Sequence, residues 1–334
     1  MCNDCAPSDL RALEFVLQEA MEVEQGVGIS GFVAVMACLA MAVFYVAILY
    51  TPTLILRLPP PASLESFLVR RFICAAVSSV LSLIFCSLIL PIRSWKASFL
   101  FGVYGIRLDH MWQAVVYPVL LTSLMYAGSV VLKLASLVNS WKEYWNAGQD
   151  HSSNFTNNVL QIWIGRMFSI ASNIAAWRNY FVAPLTEELV FRACMIPLLL
   201  CGGFGTYSVI FFCPILFSLA HLNHFLEFYF QQNCSLVKAS MVAGLQLGYT
   251  VIFGSYASFL FVRTGHLIAP LVAHVFCNCM NLPVLYSQRN GFVICASIAG
   301  MVGFLCLLFP ATSPDIYNDR MDNCRCWQRY CSWN

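Results

Sequence analysis

The chain has 334 residues, 60% of them hydrophobic and 10% charged, with a formal net charge of +2. Soluble domains carry about 25% charged residues, so this deficit excludes an ordinary water-facing surface. No Lys/Arg cluster offers a phosphate-binding face, and nothing in the charge pattern points to nucleic acid.

The first 26 residues are acidic and polar, without a basic segment leading into an apolar one. They predict no cleavable signal peptide, so that the first apolar helix acts as an uncleaved insertion signal. Apolar blocks then follow at 29–56, 73–92, 113–137, 158–176, 181–201, 204–223, 236–262, 266–285 and 291–310. A spanning helix needs about 20 such residues. The block at 158–176 is interrupted by Arg166 and reads as amphipathic, which leaves about eight spans. The expected fold is all-α: a polytopic transmembrane helical bundle around an intramembrane polar cavity. A polar segment (1–28), one membrane domain (29–311) and a tail (312–334) divide the chain, and residues 138–157 read as a loop.

Sixteen cysteines do not make a disulfide framework, because most lie inside apolar runs. Cys38, Cys74, Cys86, Cys295 and Cys306 are expected in the core or against lipid. Cys2, Cys5, Cys324, Cys326 and Cys331 lie near expected membrane surfaces, where palmitoylation is open to them. Asn154 and Asn233 head glycosylation triplets. Arg57, Arg70 and Arg71 favour a cytosolic loop between the first two spans, while Arg93, Lys96 and Arg107 in the next loop oppose that orientation.

Ionisable groups within spans are costly unless paired or hydrated, and they occur at three places. In Pro184-Leu-Thr-Glu-Glu-Leu-Val-Phe-Arg192, Pro184 and Thr186 suit the first turn of a helix, whose dipole favours nearby carboxylates. Glu188 and Arg192 have the spacing of an intrahelical ion pair, and Glu187 points about 100° away. A purely structural pair with a capping acid fits the same residues. In Phe217-Ser-Leu-Ala-His221, the aromatic ring and the imidazole share one face. An ordinary interface histidine would look the same, and His224 one turn on has no assigned role. In His274-Val-Phe-Cys-Asn278, the histidine, Asn278 and Asn281 form a polar stripe that must face protein or water, either as inter-helix hydrogen bonding or as a site. Gathered around one hydrated cavity, these groups satisfy one another. A carboxylate beside a neutral histidine deprotonates water, and a His/Asn pair steadies the oxyanion formed when that water attacks an amide.

The three motifs resemble those of the type II CAAX prenyl endopeptidase family, the Ras-converting endopeptidases within the larger CPBP family. That pattern is Glu-Glu-x-x-x-Arg, Phe-x-x-x-His and His-x-x-x-Asn. Here it reads Glu187-Glu188-Leu-Val-Phe-Arg192, Phe217-Ser-Leu-Ala-His221 and His274-Val-Phe-Cys-Asn278, within a catalytic core of about residues 180–285. The segment Phe261-Val-Arg-Thr-Gly-His-Leu-Ile-Ala-Pro270 is similar to eukaryotic members.

The resemblance implies an enzyme of the endoplasmic reticulum membrane whose site opens to the cytosol. It would remove the last three residues of farnesylated or geranylgeranylated Cys-a-a-X proteins of the small GTPase type. Glu187 and His221 would be catalytic, His274 and Asn278 would form the oxyanion hole, and Glu188, Arg192 and Phe217 would support them. No cofactor and no metal are implied. A zinc peptidase is the nearest alternative chemistry, although His-Glu-x-x-His is absent from the sequence. A non-catalytic membrane scaffold of the CPBP type is another.

Overall fold

The computed structural model describes residues 29–90, 97–146, 164–165, 168–169, 171–222, 229, 235–280 and 291–318. His224, Asn281, Arg166, Arg93, Lys96, the two glycosylation triplets and the terminal cysteines lie outside the described residues. Within those residues the chain is helical, with no strand. We number the helices α1 (Gly31–Ala47), α2 (Leu64–Ile89), α3 (Ala97–Val103), α4 (Met111–Met125), α5 (Ala127–Asn146), α6 (174–201), α7 (Thr206–Ala220), α8 (Leu236–Thr264), α9 (Ile268–Met280), α10 (Gly291–Ala311) and α11 (Pro314–Tyr317).

Four helical stretches are long and apolar enough to cross a bilayer among the described residues: Gly31–Leu54, Leu64–Ile89, Leu236–Thr264 and Gly291–Ala311. The pair α4 and α5 makes a fifth if its 85° bend lies within one span. The remaining apolar blocks form the shorter α7 and α9 and the broken α6, so eight spans cannot be counted from helix length alone. Helix α5 also runs on to Asn146, into the stretch expected as a loop. Polar residues there end nothing by themselves, and no Gly or Pro follows until Gly148.

The bundle is apolar on both its inner and outer faces, as lipid requires. Phe32, Ile73, Leu88, Phe292, Ile298 and Leu305 are exposed on the long helices. Cys295 and Cys306 lie on the outer surface, while Cys38, Cys74 and Cys86 are buried, and all five are free thiols. The second half of α6 is the exception. From Val190 to Cys201 every residue is buried. It is a core helix wrapped by α1, α2, α7 and α8. Small hydroxyls on α2, Ser78, Ser79 and Ser82, are buried as well, as expected where membrane helices approach closely.

A second apolar cluster joins α4, α8, α9 and α10. Gly300 of α10 permits its closest approach, against the bend between α4 and α5. A Cβ there would lie 2.3 Å from the Leu124 carbonyl oxygen and 2.4 Å from the Ala127 Cβ. Gly300→Val is therefore expected to destabilise the protein by about 1–3 kcal/mol through overpacking, read as a lower melting temperature in detergent. Gly244→Val, where a Cβ meets nothing within 4 Å, serves as the control. Equal melting of the two variants would contradict the close packing at Gly300.

Candidate active site

The site is built on α6, which is not a regular helix. It begins at Ile174, where the Asn173 side chain accepts from the Ala175 and Ala176 amides. It then alternates between α and π geometry, with π-helical turns at Arg178–Val182 and Leu189–Cys194. Each π turn is followed within three residues by a proline, Pro184 and Pro197. A proline inside a helix lacks the amide for the ladder, and its ring crowds the carbonyl four residues back. A wider turn relieves both, and π turns often mark functional positions. The helix therefore does not start near Pro184 as expected, and the dipole argument for Glu187 and Glu188 lapses, since the dipole acts only within the first turn.

One consequence lies at Asn179. In the π turn the Ala183 amide donates to the Arg178 carbonyl, so the amide that should reach Asn179 belongs to residue 184. That residue is a proline. The Asn278 side-chain amide takes its place, donating to the Asn179 carbonyl at 2.7 Å and strapping α9 to α6.

The two acids diverge as their spacing predicts. Glu188 is fully buried, and its Oε1 accepts from Arg192 Nη1 at 3.0 Å. The equally buried Arg192 donates to the Gly254 carbonyl at 3.5 Å and stacks 4.5 Å over the Phe217 ring. Glycine is needed at 254, because a Cβ would lie 2.9 Å from Pro214 Cβ and 3.2 Å from Arg192 Nη2. His274 joins the same group, its Nδ1 lying 2.7 Å from Glu188 Oε1. Since Glu188 is held as a carboxylate by Arg192, His274 is the donor in that bond.

Glu187 faces elsewhere. Its side chain is 15% exposed, with Oε2 3.8 Å from His274 Nε2. It lines a cavity of about 100 Å³ together with Tyr45, Arg71, Arg178, Thr186, Phe191 and His221. A space of that size holds several waters. His221 Nδ1 lies 2.9 Å from the Phe217 carbonyl, which can only accept. Nδ1 therefore carries a proton. The Phe217 ring packs edge-on against His221 at 4.6 Å and His274 at 6.5 Å, so one aromatic ring separates the two imidazoles.

Glu187, Glu188, Arg192, Phe217, His221 and His274 are thus brought into one neighbourhood, while Asn278 lies at its edge, its amide engaged with Asn179. Among the described residues, no three His, Cys, Asp or Glu side chains are grouped as metal ligands would be. Sequence reasoning missed several neighbours of these groups. Tyr45 and Thr186 share a hydroxyl hydrogen bond at 3.0 Å, Ser79 donates to the Thr186 carbonyl at 3.4 Å, and Phe253 lies 5.1 Å from His274. Tyr45, Ser79 and Phe253 sit in apolar helices without a motif. Arg71 entered the sequence reading only as a topology signal, and Arg178 did not enter it.

The fold and these groups define a membrane-embedded helical protein with a carboxylate–histidine site in a small cavity. A model of the family described as type II CAAX prenyl endopeptidase, Rce1-like, matches residues 169–280. A protein named CAAX prenyl protease 2 from Arabidopsis thaliana is 60% identical over 92% of this chain and 99% of its own. Its namesake from Homo sapiens is 34% identical over 87% and 85%. That from Saccharomyces cerevisiae is 33% identical over 40% and 44%. No solved structure matches the chain significantly. The chain belongs to the type II CAAX prenyl endopeptidases, a family of membrane peptide hydrolases.

Breaking the buried pair should damage folding before chemistry. Glu188→Ala and Arg192→Ala each leave one charge uncompensated and should lose about 3–5 kcal/mol of stability, measured by thermal unfolding in detergent. Normal melting of both variants would mean that the pair is not shielded from solvent.

Proposed function

We propose that this protein cleaves prenylated Cys-a-a-X proteins after the prenylcysteine, releasing the last three residues, by water activated at Glu187. The observation that carries this reading is the division of labour between the adjacent acids. Glu188 is consumed by Arg192 and His274, whereas Glu187 reaches the cavity that His221 also lines.

In this reading Glu187 takes a proton from water, and His221 orients that water or shares the proton. The hydroxide attacks the scissile carbonyl carbon, and the proton passes to the departing amine as the C–N bond breaks. His274 and Asn278 stabilise the intervening oxyanion. With Nδ1 already donating to Glu188, His274 can serve there only if Nε2 also carries a proton, and the two flanking carboxylates supply the counter-charge. Asn278 has a second amide N–H beyond the one given to Asn179. Glu188, Arg192 and Phe217 position these groups, and the catalytic unit occupies about residues 180–285 with walls added by α1 and α2.

The substrates are prenylated proteins of the small GTPase type, which arrive through lipid because each buried CH₂ contributes about 0.8 kcal/mol. We place the enzyme in the endoplasmic reticulum membrane with its cavity toward the cytosol. Arg57, Arg70 and Arg71 lie at or near the turn between α1 and α2, and Arg71 lines the cavity. By the positive-inside rule these arginines support a cytosolic side for the cavity's end of the bundle. Arg107 lies beyond the far end of α2, paired with Asp109.

Glu187→Gln keeps the shape and removes the base. Turnover of a farnesylated Cys-a-a-X peptide by the purified variant should fall well over 100-fold, with unchanged thermal stability. Retained turnover would remove Glu187 from the mechanism. Asn278→Ala should raise the barrier by about 2.7–4 kcal/mol. A loss below threefold in kcat would leave Asn278 only as the strap on Asn179.

A further inference from the structure

Glu187 sits in a short regular stretch of α6, Ala183–Glu188, with a π turn on either side of it. Pro184 withholds one amide from the backbone ladder there. Side-chain ties to neighbouring helices therefore help to set the rotation of this stretch. The residue after Glu187 has such a tie, because Glu188 is bonded to His274 on α9. The residue before it has another: the Thr186 hydroxyl lies 3.0 Å from the Tyr45 hydroxyl on α1. Thr186 gives its own proton to the backbone behind it, donating to the Val182 carbonyl at 2.8 Å. Tyr45 is then the donor in the bond between the two hydroxyls. The Tyr45 ring also packs edge-on against Phe191 at 5.6 Å, so one side chain touches α6 on both sides of Glu187. Tyr45, Thr186, Glu187 and Phe191 all line the same cavity. The Ser79 contact with the Thr186 carbonyl is longer, 3.4 Å, and competes with the Ala75 carbonyl at 2.9 Å, which leaves the tie to α1 the stronger one.

We propose that Tyr45 is a positioning residue: its hydroxyl holds Thr186 and thereby fixes the direction in which Glu187 enters the cavity. This rests on the peptidase reading above, in which Glu187 is the base. It adds a residue from a helix outside the segment that the family model matches, 169–280. Packing alone does not call for the hydroxyl. A phenylalanine would fill the same place against Phe191, whereas a phenol inside a membrane bundle needs a partner for its polar end. The expected consequence is kinetic. A reacting group displaced by about 1 Å can lose about 100-fold in rate, while a single hydrogen bond adds little to folding.

The test is Tyr45→Phe in the full-length purified enzyme in phosphatidylcholine nanodiscs, with a farnesylated Cys-a-a-X peptide as substrate. The ring stays on Phe191 and only the hydroxyl goes. kcat should fall by about tenfold or more while KM stays within about twofold. Thr186→Val removes the other end of the bond and should cost a similar factor in kcat, and Thr186→Ser should recover most of that loss. Joined to Tyr45→Phe, Thr186→Val should cost no more than either change alone, since both remove one interaction. Wild-type kcat in Tyr45→Phe would overturn the proposal while leaving the peptidase reading intact. So would a loss confined to KM, or losses that multiply in the double variant. If Tyr45→Phe does not fold, the Thr186 pair decides: recovery by serine supports the proposal, and equal kcat in the serine and valine variants overturns it. A wild type that leaves the peptide uncut would sink the peptidase reading and this inference with it.

Discussion

Glu188 and Arg192 are two charges with no solvent exposure, and taking them out of water costs several kcal/mol apiece unless neighbours offset it. The offset comes from three other helices: the Phe217 face on α7, the Gly254 carbonyl on α8 and His274 on α9. The contacts range from 2.7 Å at His274 to 3.5 Å at the Gly254 carbonyl and a 4.5 Å stack on Phe217, and together they tie those helices to α6. Glu187 inherits its direction from this arrangement. Once its neighbour in sequence is locked inward, the 3.6-residue period turns Glu187 toward the cavity.

The prolines of α6 give the same helix its local shape. Pro184 withholds an amide that a π turn would have delivered to Asn179, and a side chain from α9 supplies the missing donor. A backbone group left without its partner inside a membrane is costly. The third motif thus has a structural part besides the chemical role proposed for it, with His274 and Asn278 one helical turn apart touching different parts of α6.

Much of this was legible in the residues. Membrane character followed from composition, and the Glu188–Arg192 pair from spacing. The convergence of Glu187, His221 and His274 followed from the cost of burying each alone. What stayed hidden has physical reasons. Residue spacing cannot say that an apparent helix start is the interior of a π-interrupted helix, because the competing turns differ by one hydrogen-bond partner. It could not show that His274 sides with Glu188, since that depends on how α9 rotates. Tyr45 and Arg71 come from α1 and α2, over a hundred residues away in sequence, where nothing local distinguishes a cavity wall from a lipid-facing turn.

The protein jacket around the second half of α6 separates two demands that a membrane enzyme usually meets with the same surface. From Val190 to Cys201 every side chain is buried, whereas outer helices such as α1, α2 and α10 carry exposed apolar residues. A thicker or thinner bilayer strains those outer helices first, by tilt or local adjustment. The buried Glu188–Arg192 pair is thereby held apart from the fabric of the membrane, while the cavity at Glu187, walled partly by α1 and α2, stays within reach of it.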